Sequence, residues 1–264
     1  MEVCDRKISR IGLGTYGMGG GYWVKDTSRD KSDIEALRYA YEKGITLFDT
    51  AEMYGDGHAE ELLGEAFSSI DEKPFIITKV WPNHLRWEEL VKSARMSKKR
   101  LKVDSIDLYL IHWPSSSVSI KDSIRGMERL IDMGIIRCMG VSNFSLPQLE
   151  EAMSSTKKYE VVANEIEYNV YNKSAERELI PFSLRNGVTI ISYSPLAKGR
   201  VSSDRILTEI GRKYGKTAVQ VALNYLSRVS IPIPKSSSKE HIDEILGSLG
   251  WDLDDSDYYI IKGL

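Results

Sequence analysis

Four residues in the first half of this 264-residue chain could do acid–base chemistry, and three of them end an apolar run. Asp49 follows Ile45-Thr46-Leu47-Phe48, Lys79 follows Pro74-Phe75-Ile76-Ile77-Thr78, and His112 follows Ile106 to Ile111. Tyr54 stands five positions after Asp49. A tyrosine is a poor acid at neutral pH, because its phenol titrates near about 10 unless a neighbour stabilises the phenolate. A lysine ammonium near the hydroxyl would do so, and an aspartate beside that lysine would keep it charged and in place. A histidine at the same spot could donate a hydrogen bond to charge developing on a reacting oxygen. Taken singly, each residue has an equally good structural role: turn cap, packing ring, solvated strand end or satisfied core histidine. Their coincidence at strand ends favours chemistry, because a parallel α/β fold gathers the C-terminal ends of its strands at one mouth.

The elements needed to position them are legible from periodicity. Strands are predicted at 11–15, 45–49, 74–79, 106–111, 135–141, 161–166, 188–192 and 229–233. Helices are predicted at 33–43, about 59–68, 87–101, 120–133, from 145 onward, 174–186, about 203–214, about 217–228 and 239–249. Ile34, Leu37 and Tyr41 share one face of the first helix, and Ile120, Ile124, Met127 and Ile131 share one stripe of the fourth. Gly44 and Gly134 stop those two helices. Ser145 with Pro147 opens another. Eight strand–helix units joined without a linker predict a parallel sheet. Their number, and a length near the usual about 250 residues, favour one closed (β/α)8 TIM barrel over residues 1–264, with its site at the C-terminal face.

Composition narrows the function further. Hydrophobic residues make up 42% of the chain, enough for a large core, and 36 basic against 38 acidic residues leave a net charge of −2. That balance gives no support for nucleic-acid binding. Cys4 and Cys138 lie far apart, form no CxxC and read as reduced thiols. The charged N-terminus lacks a signal-peptide core, and no apolar run approaches the roughly 18 residues of a membrane span. A cytoplasmic, reduced setting is therefore expected. The four histidines and the absence of HExxH or paired-cysteine spacing give no metal site. Gly12-x-Gly14-x-x-Gly17 matches a dinucleotide fingerprint letter for letter, yet Met18-Gly19-Gly20-Gly21-Tyr22-Trp23 is a poor helix opening. Without a helix N-terminus there, the fingerprint loses its physical basis, and a glycine-rich loop over a pocket is the better reading.

Beyond these patterns the chain resembles the aldo-keto reductases over nearly its whole length. The resemblance rests on Phe48-Asp49-Thr50-Ala51 with Tyr54-Gly55, Thr78-Lys79, and Ile111-His112-Trp113-Pro114. It rests also on Met127-x-x-Leu130-x-x-x-Gly134-x-x-Arg137-x-x-Gly140-Val141-Ser142-Asn143-Phe144, Ser192-Tyr193-Ser194-Pro195-Leu196 and Ile233-Pro234-Lys235-Ser236. The resemblance implies reduction of a small carbonyl compound by hydride from NADPH, with NADH as the alternative cofactor, and without metal. Tyr54 would be the general acid, Lys79 would tune it, Asp49 would hold Lys79, and His112 would orient the carbonyl. Gly14, Thr15 and Tyr16 would border the cofactor, Tyr193 would stack on the nicotinamide, and Ser142 and Asn143 would bind its carboxamide. Ser194 and Leu196 would line the pyrophosphate path, and Lys235 and Ser236 would hold the 2′-phosphate. Trp23, Trp81 and Trp113 would wall the substrate pocket.

Three departures from the family pattern matter. Glu165 stands where the family usually has the carboxamide-binding glutamine. If ionised at about 6 Å from a positive nicotinamide, it would favour the oxidised cofactor by a gross Coulomb energy of about 3 kcal/mol at an effective dielectric near 20. His241 occupies the place of an adenine-side arginine, although Glu244 keeps its own, so Lys235 alone would discriminate for the phosphate. Little chain follows the last predicted helix, which implies an open pocket. Two other functions fit parts of the pattern. One is a cofactor-sensing regulatory subunit with little turnover; the other is a Schiff-base enzyme using Lys79, which would leave the cofactor blocks unexplained.

Overall fold

A computed structural model, which describes residues 1–264, resolves the alternation of apolar runs and amphipathic helices into a parallel barrel. An antiparallel hairpin, β1 (Glu2–Val3) and β2 (Arg6–Lys7), precedes β3 (Leu13–Gly14), the first barrel strand. A second hairpin, β4 (Gly20–Gly21) and β5 (Val24–Lys25), leads to α1 (Asp30–Glu42). Then come β6 (Leu47–Asp49), α2 (His58–Ala66), β7 (Phe75–Val80), α3 (Trp87–Leu101), β8 (Ile106–Ile111) and α4 (Ile120–Asp132). β9 (Ile136–Ser142), α5 (Leu146–Ser155), β10 (Val161–Glu167), α6 (Leu179–Arg185) and β11 (Thr189–Tyr193) follow. The chain ends with α7 (Arg205–Tyr214), α8 (Ala218–Leu226), β12 (Ile231–Pro232), α9 (Lys239–Leu246) and α10 (Asp255–Lys262).

The strands β3, β6, β7, β8, β9, β10, β11 and β12 pair in that order, all parallel. Two backbone bonds, Gly12 N–H to Pro232 O and Gly14 N–H to Pro234 O, both 3.0 Å, join first to last. The glycines are required at this seam. A Cβ on Gly12 would lie 2.2 Å from the Leu47 side chain, and one on Gly14 would lie 3.0 Å from the Ile233 carbonyl oxygen. The literal dinucleotide fingerprint is thus a barrel-closure device, followed by a hairpin rather than a helix.

Side chains alternate across each strand, so the inward positions form layers. Leu47, Phe75, Ile77, Leu108, Leu110, Ala163, Ile191, Ile231 and Ile233 fill the interior, and Val3 and Ile8 of the N-terminal segment plug its floor. A separate cluster of 52 buried residues, including Phe48, Ile76, Tyr109, Val141 and Ile190, lies between the sheet and the helices. Counting on by twos from the inner layers gives Asp49, Lys79, His112, Glu165 and Tyr193 as the next inward positions at the mouth. The strand pattern that builds an apolar floor also delivers a polar roof.

The boundaries differ from expectation where prolines intervene. β12 keeps only Ile231–Pro232 of the predicted 229–233, because Pro232 and Pro234 have no N–H to give a ladder. The predicted helix 174–186 breaks into a 3-10 turn, Ser174–Glu176, and α6, since Pro181 cannot bond back to a preceding turn. Lys79 lies inside β7, one residue before its end. α10 was not anticipated: its Asp254 cap accepts from Asp257 N–H at 2.7 Å, but it buries only Asp257 and Ile261 and so shows little apolar stripe. The reduced cysteine pair also needs correction. Cys4, in the turn of the floor hairpin, and Cys138, on β9, are joined as a disulfide with a Cα–Cα distance of 6.2 Å. Cys138 pairs in register with inward-facing Leu108, and the plug brings Cys4 to it across 134 residues. No helix is long and apolar enough to cross a membrane.

Candidate active site

The polar roof is built around one buried amine. Lys79 is 0% exposed, and its Nζ donates to Asp49 Oδ2 at 2.5 Å and to the Thr50 carbonyl at 3.0 Å. Glu165 Oε1 lies 3.3 Å from the same nitrogen. Asp49 comes from β6, Lys79 from β7 and Glu165 from β10, so the group spans the barrel. Burial works against the charge on Lys79, but Asp49 and Glu165 outweigh it and hold the ammonium well above the usual lysine range.

Tyr54 and His112 complete the constellation, their rings 6.0 Å apart and edge-on. Nζ of Lys79 lies 5.6 Å from the centroid of the Tyr54 ring, and the amine's hydrogen bonds go to Asp49 and Thr50 instead of the tyrosine. The expectation that Lys79 depresses the phenol is corrected in degree. Burial pushes Tyr54 above the usual phenol range; Lys79 pulls it down, while Asp49 and Glu165 push it back up. Tyr54 is therefore held protonated, the form an acid needs. Burial, helped by the Lys79 charge, brings His112 down to about 2, so its imidazole is neutral across the working range. Its Nδ1 is buried without a hydrogen-bond partner. Burial, then the charge of Asp49, raises Glu165 well above the usual carboxylate range.

Aromatic rings form the wall beside these groups. Trp81 sits edge-on to His112 at 5.5 Å and to Trp23 at 6.2 Å, and Tyr16 meets Tyr54 at 5.4 Å. Trp113, 43% exposed, stands outside this ring cluster. Trp23 occupies the turn of the β4–β5 hairpin, which the sequence reading took for a loose loop. Its N–H donates to the Met53 carbonyl at 2.9 Å, and Tyr22 bridges to Tyr54. Lys25 pairs with Glu61 of α2 at 2.8 Å. The hairpin thus forms a flap fastened beside the Tyr54 loop. Glu52 was missed entirely: buried, it accepts from the Trp81 N–H at 2.7 Å and meets His84 Nδ1 at 2.9 Å. Its place in the Asp49–Tyr54 loop was the only sequence signal.

A second polar surface runs along the ends of β9, β10 and β11. Asn143, at φ +62, donates to the His112 carbonyl and to Ser142 Oγ, both at 3.0 Å, and accepts from the Tyr193 hydroxyl at 2.8 Å. Ser142 donates to the Glu165 carbonyl at 3.1 Å. Ser194, at φ +49, and Leu196 turn the chain beyond Tyr193. Left-handed backbone at non-glycine residues is costly and collects at functional sites. Thr15 fastens the glycine loop, both its N–H and its hydroxyl donating to the Asp49 carbonyl.

Farther out, Lys235, Ser236 and His241 gather at the N-terminal turn of α9, with Glu244 deeper along it. Lys235 donates to Ser237 Oγ at 2.9 Å, and Ser237 donates to buried Asp33 at 2.7 Å. Burial lowers Lys235, Asp33 pulls it back up, and Arg29, which precedes α1, lowers it further. A helix N-terminus beside Lys235 fits a phosphate, and the unpartnered Oε2 of Glu165, the register partner of Ser142, fits a carboxamide. These residues fit a nicotinamide dinucleotide phosphate. A separate cleft of about 590 Å³ between the N-terminal ends of α3 and α4, lined by Arg86, Arg125 and Arg129, contains none of the strand-end residues.

Fold and site together define a (β/α)8-barrel oxidoreductase that places acid groups beside a nicotinamide pocket. The Aldo/keto reductase family model matches residues 10–264, and the chain belongs to that family. It is 33% identical over 247 residues to the methylglyoxal reductase YeaE of Escherichia coli K12, covering 91% of this chain and 85% of that one. It is 30% identical over 261 residues to the methylglyoxal reductase DkgB of Escherichia coli O157:H7, covering 97% and 93%. The thermostable aldo-keto reductase Tm1743, solved with the inhibitor epalrestat, superposes with a TM-score of 0.93 at 38% identity, covering 98% of this chain and 96% of that one. A Klebsiella pneumoniae aldo-keto reductase in complex with NADPH superposes at 0.89 with 28% identity, covering 97% and 90%.

Proposed function

We propose that this chain is an NADPH-dependent reductase of small aldehydes, 2-oxoaldehydes of the methylglyoxal type foremost, with Tyr54 as the general acid. The observation that carries the reading is the inward convergence of Asp49, Lys79, His112 and Tyr54 at the end of the barrel where strand layers turn from apolar to polar. The substrate class follows from the relatives YeaE and DkgB, and the cofactor from the NADPH complex of the Klebsiella pneumoniae protein.

NADPH, when bound, supplies the hydride. The chain's own residues manage the oxygen end of the carbonyl. Neutral His112 donates an imidazole N–H to the carbonyl oxygen and fixes its approach beside Trp81. Tyr54 hands its hydroxyl proton to the same oxygen as negative charge builds there. Lys79 favours the phenolate left behind, and Asp49 keeps Lys79 charged and stationary. Asn143, Ser142 and Tyr193 form one connected set of hydrogen bonds that would orient the nicotinamide end, while Lys235 and Ser236 would hold the 2′-phosphate. The flap carrying Trp23 excludes water from the reacting pair.

The test is a panel of carbonyl compounds assayed with NADPH and NADH side by side. Methylglyoxal and simple aldehydes should consume NADPH faster than NADH. If both cofactors bind yet no carbonyl in the panel is turned over, the reading as a reductase is wrong, and a cofactor-sensing subunit takes its place.

A further inference from the structure

Two carboxyl groups share a single ammonium at the centre of this site, and the charges do not balance. Asp49, Lys79 and Glu165 are 3%, 0% and 2% exposed, so water does little to screen them. A buried carboxylate without a full counter-charge neutralises itself by taking a proton. Both carboxyl groups press on the same Nζ from within the barrel, so the negative charge of each disfavours ionisation of the other. Asp49, at 2.5 Å from Nζ, takes the larger share of the ammonium's charge, while Glu165 stands at 3.3 Å and faces the negative charge of Asp49. Burial raises both acids, but Lys79 opposes it at Asp49, whereas the charge of Asp49 drives Glu165 further up, so the proton belongs on Glu165. Its Oε2 has no partner within the protein.

Resting on the reading of this site as a nicotinamide pocket, we infer that Glu165 is a neutral acid that acts in place of a carboxamide and makes the enzyme's preference for oxidised over reduced cofactor rise with pH. A protonated carboxyl pairs one O–H donor with a carbonyl acceptor, so it can replace a carboxamide's acceptor and one of its two N–H donors. When Glu165 ionises, a negative charge appears beside the nicotinamide. The oxidised ring is positive and gains from it; the reduced ring is neutral and does not. Binding of the oxidised cofactor thus expels part of a proton from Glu165 to solvent, and rising pH favours that form.

The other groups facing Glu165 do not supply this titration. Lys79 from β7 stays charged, and Tyr54 and Tyr193 (from β11) are both raised, chiefly by burial, and stay neutral. Ser142, its register partner on β9, is uncharged, and His112 stays neutral.

Two measurements test this. The dissociation constants of NADP+ and NADPH are titrated by protein fluorescence from mildly acidic to mildly alkaline pH, in wild type and Glu165→Gln. In wild type the ratio of the NADPH constant to the NADP+ constant should climb with pH, by at most about tenfold per pH unit for one linked proton. In the variant it should be flat. A flat wild-type ratio, or equal slopes in both proteins, overturns the inference. Infrared difference spectra of the cofactor-free proteins at neutral pH provide the second test. A protonated-carboxyl band present in wild type and missing in Glu165→Gln supports the neutral acid; no such band overturns it. If neither cofactor binds at any pH while the band is present, the nicotinamide reading fails and the neutral acid stands.

Discussion

Two buried ionic clusters lie within this barrel, and they obey different rules. Below the mouth, Glu60 of α2 pairs with Arg100 of α3 at 2.6 Å and accepts from Thr78 of β7 at 2.5 Å. That cluster has one acid and one base, and both Glu60 oxygens are satisfied. At the mouth, Asp49 and Glu165 share Lys79, and one carboxyl oxygen is left without a partner. Thr78 and Lys79 are adjacent on one strand, and strand alternation sends one to the helix side and the other into the barrel. A balanced cluster locks helices to the sheet. An unbalanced one holds protons in suspense, which is what acid–base chemistry and a cofactor that changes charge require.

The contrast is broken most severely by Lys79→Met. Both carboxyls can then take protons, so the fold should survive, while the tuning of Tyr54 is lost. Turnover should fall by about 10²–10⁴-fold, the usual worth of a positioned acid, as read by steady-state kinetics on protein whose folding is checked by circular dichroism. Arg100→Met should do the reverse. Glu60 would be left as an uncompensated buried acid, and denaturant unfolding should show a loss of about 3–5 kcal/mol with kcat per folded molecule unchanged. Lys235→Ala reaches neither cluster. It should weaken NADPH binding by about tenfold, one charge-assisted contact, and leave NADH binding nearly untouched, as measured by fluorescence titration.

The smallest effect is a pH-dependent difference in stability between Glu165→Gln and wild type. The folded-state value of Glu165 is raised above its unfolded value. The stability this contributes is full below the unfolded value near about 4.3 and is lost as pH rises through the folded value. Glu165→Gln has no such group, so its melting temperature should gain on wild type as pH rises from mildly acidic toward alkaline values. A constant difference across pH would mean that Glu165 is ionised throughout.

Much of this arrangement was legible because it depends on local periodicity. α3 and β8 occur over the predicted 87–101 and 106–111, where apolar spacing and terminal signals agree. Asp49, Lys79 and His112 were found because each is a polar residue ending an apolar run, and a parallel fold gathers strand ends at one mouth. What was not legible depends on distance through space. The β4–β5 flap consists of two-residue strands stabilised by contacts with the Tyr54 loop. The Cys4–Cys138 bond needs the floor plug in place before its partners meet. Glu165 was recognised as a departure, but its protonation depends on burial in the barrel and on Asp49, 116 positions earlier, and no run of neighbouring residues carries that information.

Tyr54→Phe tests the identity of the proton donor most directly. Reduction of methylglyoxal with NADPH should be followed alongside NADPH binding on the same preparations of variant and wild type. Removing the hydroxyl should lower kcat by about 10²–10⁴-fold while the NADPH dissociation constant stays within experimental scatter of wild type. A variant that keeps the wild-type kcat would contradict Tyr54 as the proton donor and, with it, the role given to the unbalanced cluster beneath it.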